Sequence, residues 1–486
     1  MMTSQPNLIF LMPDQLRADF LSCYGADFIQ TPHIDSLFSR GVRYADACTP
    51  SPVCVPARSV LLTGINAIRT GVTSNGQFLR TDLSECGIST WPEMLSQKGY
   101  MTSAIGKMHF YPWEASMGFQ HRMICEDKRW LNVKDDYYHY LKGYGLKKFH
   151  GNEHAGYQEN RGAIISRLPW EHSWDYFVGE GAAKYIRNYS HNRPFAMMVG
   201  FPGPHCPYDP CQKYADLFDP ADMPDPYPEA TDQPPNFRQS NIRGNLGSWN
   251  GVDYSEFTTA HKKKIRAHYA GLVKQIDDKV GDILSALEET GLQDNTVIIF
   301  SSDHGDYLGD HGLIGKGTFY ESSIKVPLIV HLPWAGGSTV CRSPVSIEDI
   351  TATLLHFAGC EIPMHLNSIP LPGLGIQTDR IRDRVYGFLA SGCMNYNGEW
   401  KLAKYASGDV MLFNVKEDPA EQLNRIKHPN CQEIARQLDA ELTSMMLRSI
   451  AQAHSEKVIG TSWEDLEFGD GGWQRTYPMP IGSHDE

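Results

Sequence analysis

Apolar positions along the chain change period repeatedly, from short continuous runs to helical spacing and back. Leu8 to Met12 is a continuous apolar run of strand length, the pattern of a strand covered on both faces. A helical pattern from Ile34 to Arg40 follows, then a β-rich run from Ser59 to Leu62, a helical pattern from Trp91 to Lys98 and a strand from Thr102 to Ile105. The longest regular pattern is His261 to Thr290, with Ile265, Tyr269, Leu272, Ile276, Val280, Ile283 and Leu287 at helical spacing and Gly291 as the C-cap. Val297 to Phe300 is then a buried strand. It delivers Ser301-Ser302-Asp303-His304-Gly305 at its carboxyl end, where open α/β sheets place their ligand sites. The order predicts an α/β fold, a large mixed and mostly parallel sheet sandwiched by helices.

Two stretches interrupt the alternation. One, about 111–174, is rich in Trp, Tyr, His and charge; the other, about 202–249, is rich in Pro, Asp and Asn, and both read as insertions over the scaffold. Beyond Pro344 the texture changes. Ile347 to Ala358 reads as a helix and Leu366 to Asp383 as a connection. Val385 to Leu389, Trp400 to Tyr405 and Val410 to Asn414 read as strands of a small antiparallel sheet, covered by a helix from Cys431 to Ser449. The predicted organisation is a catalytic α/β domain over 1–375 and a smaller C-terminal subdomain over 376–486, whose last stretch, 460–486, receives no assignment.

Composition narrows the function classes. A net charge of -13 excludes the broad basic face of a nucleic-acid binder, so any anionic substrate must be drawn in by a local cluster. No apolar run reaches the roughly 20 residues of a membrane span, and the first residues lack the basic lead-in of a secretory signal. A soluble, cytoplasmic protein without membrane partners is expected. Eleven irregularly spaced cysteines do not form a disulfide framework and are expected to be mostly reduced and buried.

The most informative segment is Ser51-Pro52-Val53-Cys54-Val55-Pro56-Ala57-Arg58-Ser59, continued by Leu61-Leu62-Thr63-Gly64. Cys54 alone would be a buried structural cysteine. Arg58, however, falls one turn along a helix opening after Pro56, and a helix N-terminus beside a guanidinium favours an ionised nucleophile. The segment resembles the signature Cys-x-Pro-x-Arg of the sulfatase family, matched by Cys54, Pro56 and Arg58. The resemblance implies that Cys54 is oxidised by a maturation enzyme to Cα-formylglycine, and that the fold is the alkaline-phosphatase-like sulfatase fold.

Asp14-Gln15 and Asp303-His304 each follow a strand, so two chain-distant acids converge at one sheet edge. Taken singly they read as N-caps; together they call for a divalent cation. The resemblance implies Asp14, Gln15, Cys54, Asp303 and His304 as the metal site, with calcium expected first and manganese or magnesium as alternatives, since His304 adds a nitrogen donor. Gln and His in place of the Asp and Asn of many sulfatases also occur in choline-sulfatase-like members and in phosphonate monoester hydrolases.

Gly106-Lys107-Met108-His109 resembles the family's Gly-Lys-x-His element, and in an extended segment Lys107 and His109 would share one face toward the nucleophile. Gly203-Pro204-His205 and Gly315-Lys316 resemble its sulfate-binding elements. The implied catalytic set is Cys54, Arg58, Lys107, His109, His205 and Lys316, with Lys107, His205, Lys316 and Asn75 on the substrate. His109 is the expected base for sulfate release, and His205 or Lys316 the acid for the leaving alcohol. The expected reaction is hydrolysis of a sulfate monoester, small or carbohydrate; a phosphonate monoester or phosphodiester hydrolase and a non-catalytic sulfated-glycan binder are the rivals. A homo-oligomer is left open. Trp113, Trp130, Tyr137, Tyr138, Tyr140 and Trp170 either stack on the substrate or pack internally.

Overall fold

In the computed structural model, which describes residues 5–230, 232–247 and 250–456, the first strand, β1 (Asn7–Asp14), divides its side chains between two cores. Ile9 and Leu11 enter one, Leu8, Phe10 and Met12 the other, as the period of two requires of a strand covered on both faces. The sheet has eight strands in the order β5 (His121–Ile124), β4 (Met101–Gly106), β6 (Phe195–Pro204), β1, β7 (Thr296–Ser301), β8 (Leu328–His331), β2 (Gly41–Tyr44) and β9 (Ser338–Cys341). β8 runs antiparallel to β7 and β2, and the other pairs are parallel. A two-residue parallel pair, β3 (Ala47–Cys48) with β10 (Val345–Ser346), stands apart.

Helices cover both faces. The 31-residue helix Thr259–Glu289 opens on a capping box at Thr258 and packs Ile265, Leu272, Ile276 and Ile283 into the first core beside Val178 and Ala182 of helix Trp174–Arg187. Helices Cys54–Thr63, Trp91–Gln97 and Asp349–Phe357 fill the second. The small sheet is antiparallel, in the order β11 (Val385–Leu389), β12 (Gly392–Tyr396), β13 (Trp400–Tyr405) and β14 (Val410–Asn414). Helix Gln432–Ser455 lays Leu438 against Leu402 and Leu412. Among the described residues no helix is long and apolar enough to cross a membrane, and the cysteines are unpaired, six of them buried.

Three expectations change. Ser59 to Leu62 is helix, inside Cys54–Thr63, where Ser59 and Thr63 bond back to the carbonyls of Val55 and Ser59. All ten residues of that helix are buried, so its apolar pattern carries no period that separates helix from strand. The stretch 111–174 is more than an insertion over the scaffold, since it supplies β5 at the sheet edge and helix Asp136–Gly143. The segment after β4 is not extended: Gly106 (φ +100°) and His109 (φ +59°) turn it, and a Cβ at Gly106 would meet the Gly200 carbonyl oxygen at 2.0 Å. The stretch 460–486, which received no assignment, lies wholly outside the described residues, which end at 456.

Candidate active site

Four neighbouring parallel strands end at one place. Lys107 follows β4, His205 follows β6, Asp14 closes β1, and Asp303 stands two residues beyond β7. Cys54 arrives from the second-core side as the first residue of its helix, fully buried, with its Sγ 3.2 Å from His304 Nε2 and 3.9 Å from Asp14 Oδ1. One turn on, Arg58 ties the floor together. Its Nε donates to Asp303 Oδ2 at 3.0 Å, its Nη2 to Asp14 Oδ2 at 2.8 Å and its Nη1 to the Lys107 carbonyl at 2.7 Å.

The donor atoms of Asp14, Cys54, Asp303 and His304 all lie within 4.8 Å of one another. Two carboxylates, an imidazole nitrogen and the side chain at 54, buried and converging, fit a divalent cation. Gln15, at φ +70°, donates its backbone N–H to Asp303 Oδ1 at 3.0 Å. Its amide spans Asp306, through Nε2, and Lys316, through Oε1.

Charge balance sets the protonation states. Burial pushes the Asp14 carboxyl up, but Lys107 and Arg58 outweigh it and hold the group well below the usual carboxylate range. Burial and Asp14 push the Cys54 thiol up, while Lys316, His304 and Lys107 bring it below its ordinary value. Burial, then Arg129 and Lys316, keep His205 neutral. Its Nδ1 faces the Cys206 carbonyl at 2.7 Å and so carries the proton, leaving Nε2 to accept from Lys316 Nζ at 2.7 Å. Burial, with Lys107 and Arg58, keeps His109 neutral as well; both its ring nitrogens are buried without a hydrogen bond. Its Nε2 lies 3.8 Å from Asp127 Oδ2 and 3.9 Å from Glu126 Oε2, and its ring stacks on Trp130 at 4.7 Å.

The charged run Glu126-Asp127-Lys128-Arg129 carries functional residues that the sequence reading passed over. Asp127 accepts from Lys107 Nζ at 2.9 Å and from Arg129 Nε and Nη2 at 2.7 and 2.6 Å. Asp306, quoted only as part of a motif, holds the Gln15 amide and accepts from Tyr208 at 2.7 Å. Asn75 accepts from Val55 N at 3.0 Å and so fixes the first turn of the Cys54 helix. Of the six aromatic residues singled out, Trp130 lines the cavity above the cluster; Tyr137, Tyr140 and Trp170 pack on Trp174, Phe177 and Tyr214. The cavity measures about 650 Å³ and is walled by Gln15, Asn75 and Lys316, by helix Pro235–Leu246, and by Ser391 and Tyr405 of the C-terminal part.

Glu126 gives a stability test. It accepts from His109 N at 3.0 Å and Met108 N at 3.2 Å, and burial pushes its carboxyl up to about 7 from an ordinary 4.5. The folded protein thus keeps this proton to higher pH than the unfolded chain. That contribution is complete below pH 4.5 and is lost as pH rises through about 7. Glu126→Gln, which keeps an acceptor but no charge, is expected to lose less stability than wild type across this window, by roughly 3 kcal/mol. Urea unfolding at a series of pH values checks it; parallel curves would refute the buried-carboxyl assignment.

Comparison with known proteins gives the family and the fold. The family model described as Sulfatase matches residues 6–360, and one described as N-sulphoglucosamine sulphohydrolase, C-terminal, matches residues 309–448. The chain is similar to an arylsulfatase of Clostridium perfringens, 29% identical with 90% of this chain and 92% of the relative covered. It is also similar to a choline-sulfatase of Rhizobium meliloti, 27% identical with 88% and 84% covered. Among solved structures, the phosphonate monoester hydrolase of Agrobacterium radiobacter shares the fold, with a TM-score of 0.76, 21% identity, and 91% of this chain and 96% of that one covered.

Proposed function

We propose, from the premise that this chain belongs to the sulfatase family, that it hydrolyses a sulfate monoester to an alcohol and inorganic sulfate at the site around residue 54. The observation that carries this reading is the placing of Cys54 at the start of a helix, buried against Asp14 and His304, with Arg58 clamping Asp14 and Asp303. The proposed catalytic unit is 1–375, with 376–486 supplying one wall of the cavity.

Cys54, oxidised to formylglycine and hydrated, would supply a hydroxyl nucleophile. A divalent cation held by Asp14, Gln15, Asp303, His304 and the side chain at 54 would lower that hydroxyl's pKa and bind a sulfate oxygen. Calcium suits the carboxylates, and manganese the His304 nitrogen. Arg58 fixes both carboxylates in place, so their orientation does not depend on substrate. Lys107, anchored between Asp14 and Asp127 at 2.8 and 2.9 Å, sets positive charge beside the transferred group. Lys316 faces the leaving alcohol and gives it a proton; His205, neutral with Nε2 already accepting from Lys316, supports that lysine instead of acting as the acid itself. His109, neutral and with its nitrogens unengaged, takes the proton whose loss from the side chain at 54 releases sulfate.

One observation favours a second reading, the phosphonate monoester hydrolase fold shared with this chain. The two separate on kcat/KM for 4-nitrophenyl sulfate against a 4-nitrophenyl phosphonate monoester, using protein made together with a formylglycine-generating enzyme. A sulfatase is expected to favour the sulfate by about 100-fold or more. Preference for the phosphonate would replace the first reading by the second.

A further inference from the structure

Gln15 is fully buried and held at both its backbone and its amide. Its backbone N–H donates to Asp303 Oδ1 at 3.0 Å and its carbonyl accepts from the Tyr269 hydroxyl at 2.6 Å, so only the side chain is left to turn. The amide nitrogen Nε2 donates to Asp306 Oδ2, and the amide oxygen Oε1 accepts from Lys316 Nζ. These partners fix which atom is which, since the reverse placing would set an oxygen against a carboxylate and an N–H edge against an ammonium. Asp306 is itself fully buried and held on both oxygens. Its Oδ2 also accepts from the Tyr208 hydroxyl at 2.7 Å, and its Oδ1 accepts from Leu308 N at 3.0 Å and Gly315 N at 2.9 Å. Lys316 is the less constant guide, being only part-buried and shared with His205 Nε2 at 2.7 Å.

We propose that Asp306 is a positioning residue for the cation: it turns the Gln15 amide so that the oxygen, and not the N–H edge, is presented to the metal. The inference rests on the sulfatase reading, in which Gln15 is a metal ligand, and adds the residue that lets a glutamine serve there. A carboxylate offers an oxygen whichever way it turns. An amide offers one on a single side, so a glutamine ligand needs a partner that selects its orientation. An oxygen that accepts from an ammonium is also turned correctly for a cation, and Lys316 marks that direction. Lys316 cannot hold the amide through the reaction, because the same reading gives it to the leaving alcohol. Asp306 stays in place, since its other donors are Tyr208 and two main-chain N–H groups, none of which the reaction uses.

The test is calorimetric titration of manganese and of calcium ions into chelator-treated, matured full-length protein, with folding scored by thermal melting. Asp306→Asn sets an N–H edge against Gln15 Nε2, so the Gln15 amide should turn over and face the cation with its own N–H edge. Kd for either ion is expected to rise by about 10- to 100-fold, the usual effect of losing a partner that orients a ligand. On a Gln15→Leu background, where no amide is left to orient, Asp306→Asn should cost less than about threefold more, whereas a charge acting through space would cost the same on both backgrounds. Gln15→Glu added to Asp306→Asn accepts the new N–H edge on one oxygen and offers the other to the cation. That double variant, with the net charge of wild type, should bind within about threefold of wild type or tighter. A wild-type Kd in folded Asp306→Asn, or an equal loss on the Gln15→Leu background, overturns the inference while the sulfatase reading stands. Should Asp306→Asn not fold, the double variant with Gln15→Glu decides alone: near-wild-type affinity upholds the inference, and failure to fold or a weaker Kd overturns it. Wild type that binds neither ion ends the metal reading and the inference with it.

Discussion

Cys54→Ala is expected to lower kcat by roughly 10⁴- to 10⁶-fold, the scale seen when the nucleophile is taken from a set of residues that acts as a unit. The side chain at 54 is the meeting point of Asp14, His304 and the helix start, so no neighbour can take its place at the same distance from the sulfur. The fold should survive. Cys54 is buried, and trimming it to Ala removes one heavy atom and costs about 1 kcal/mol, a shift of a few degrees in Tm. Turnover and thermal melting of the same preparation check both halves. Activity within tenfold of wild type would place the nucleophile elsewhere.

Arg58→Ala should have the largest effect on stability. Arg58 is buried with Asp14 and Asp303, and its loss leaves two buried carboxylates short of a counter-charge. Removing one partner of such a buried group costs about 3–5 kcal/mol. The measurement is urea unfolding of chelator-treated protein, because a bound cation would mask the excess negative charge. Arg58→Lys should fall between the two, keeping the charge but not the fork that reaches both acids and the Lys107 carbonyl. A loss under about 1 kcal/mol for Arg58→Ala would mean the acids are held mainly by other groups, such as the N–H of Gln15 and of His304 on Asp303.

These expectations rest on features that the sequence shows unequally. β11, β13 and β14 have the bounds their apolar runs predict, and the Thr259–Glu289 helix follows its spacing to within two residues at the start. β12 between them was not legible, because Gly392 opens it and Asn395, though buried, is polar. The Cys54 helix was legible only at its start, from Pro56 and Arg58; buried on every side, its 59–62 stretch has no polar face to set a period. In the site, Asp14, Cys54, Asp303 and His304 could be picked out by their motifs, and the structure brings them together. The run from Glu126 to Arg129 could not. Four consecutive charges read as a solvated face, and their burial depends on distant partners: Lys107 for Asp127, Asp209 for Lys128, and the N–H groups of Met108 and His109 for Glu126.

The most direct measurement is sulfate release as a function of maturation at residue 54. Protein prepared with graded amounts of a formylglycine-generating enzyme can be scored by peptide mass, where conversion of the thiol to the aldehyde removes about 18 Da, and each preparation assayed for inorganic sulfate from 4-nitrophenyl sulfate. The rate should rise in proportion to the converted fraction and extrapolate to zero where only cysteine remains. A rate that is the same in fully unconverted protein would contradict the role given to residue 54.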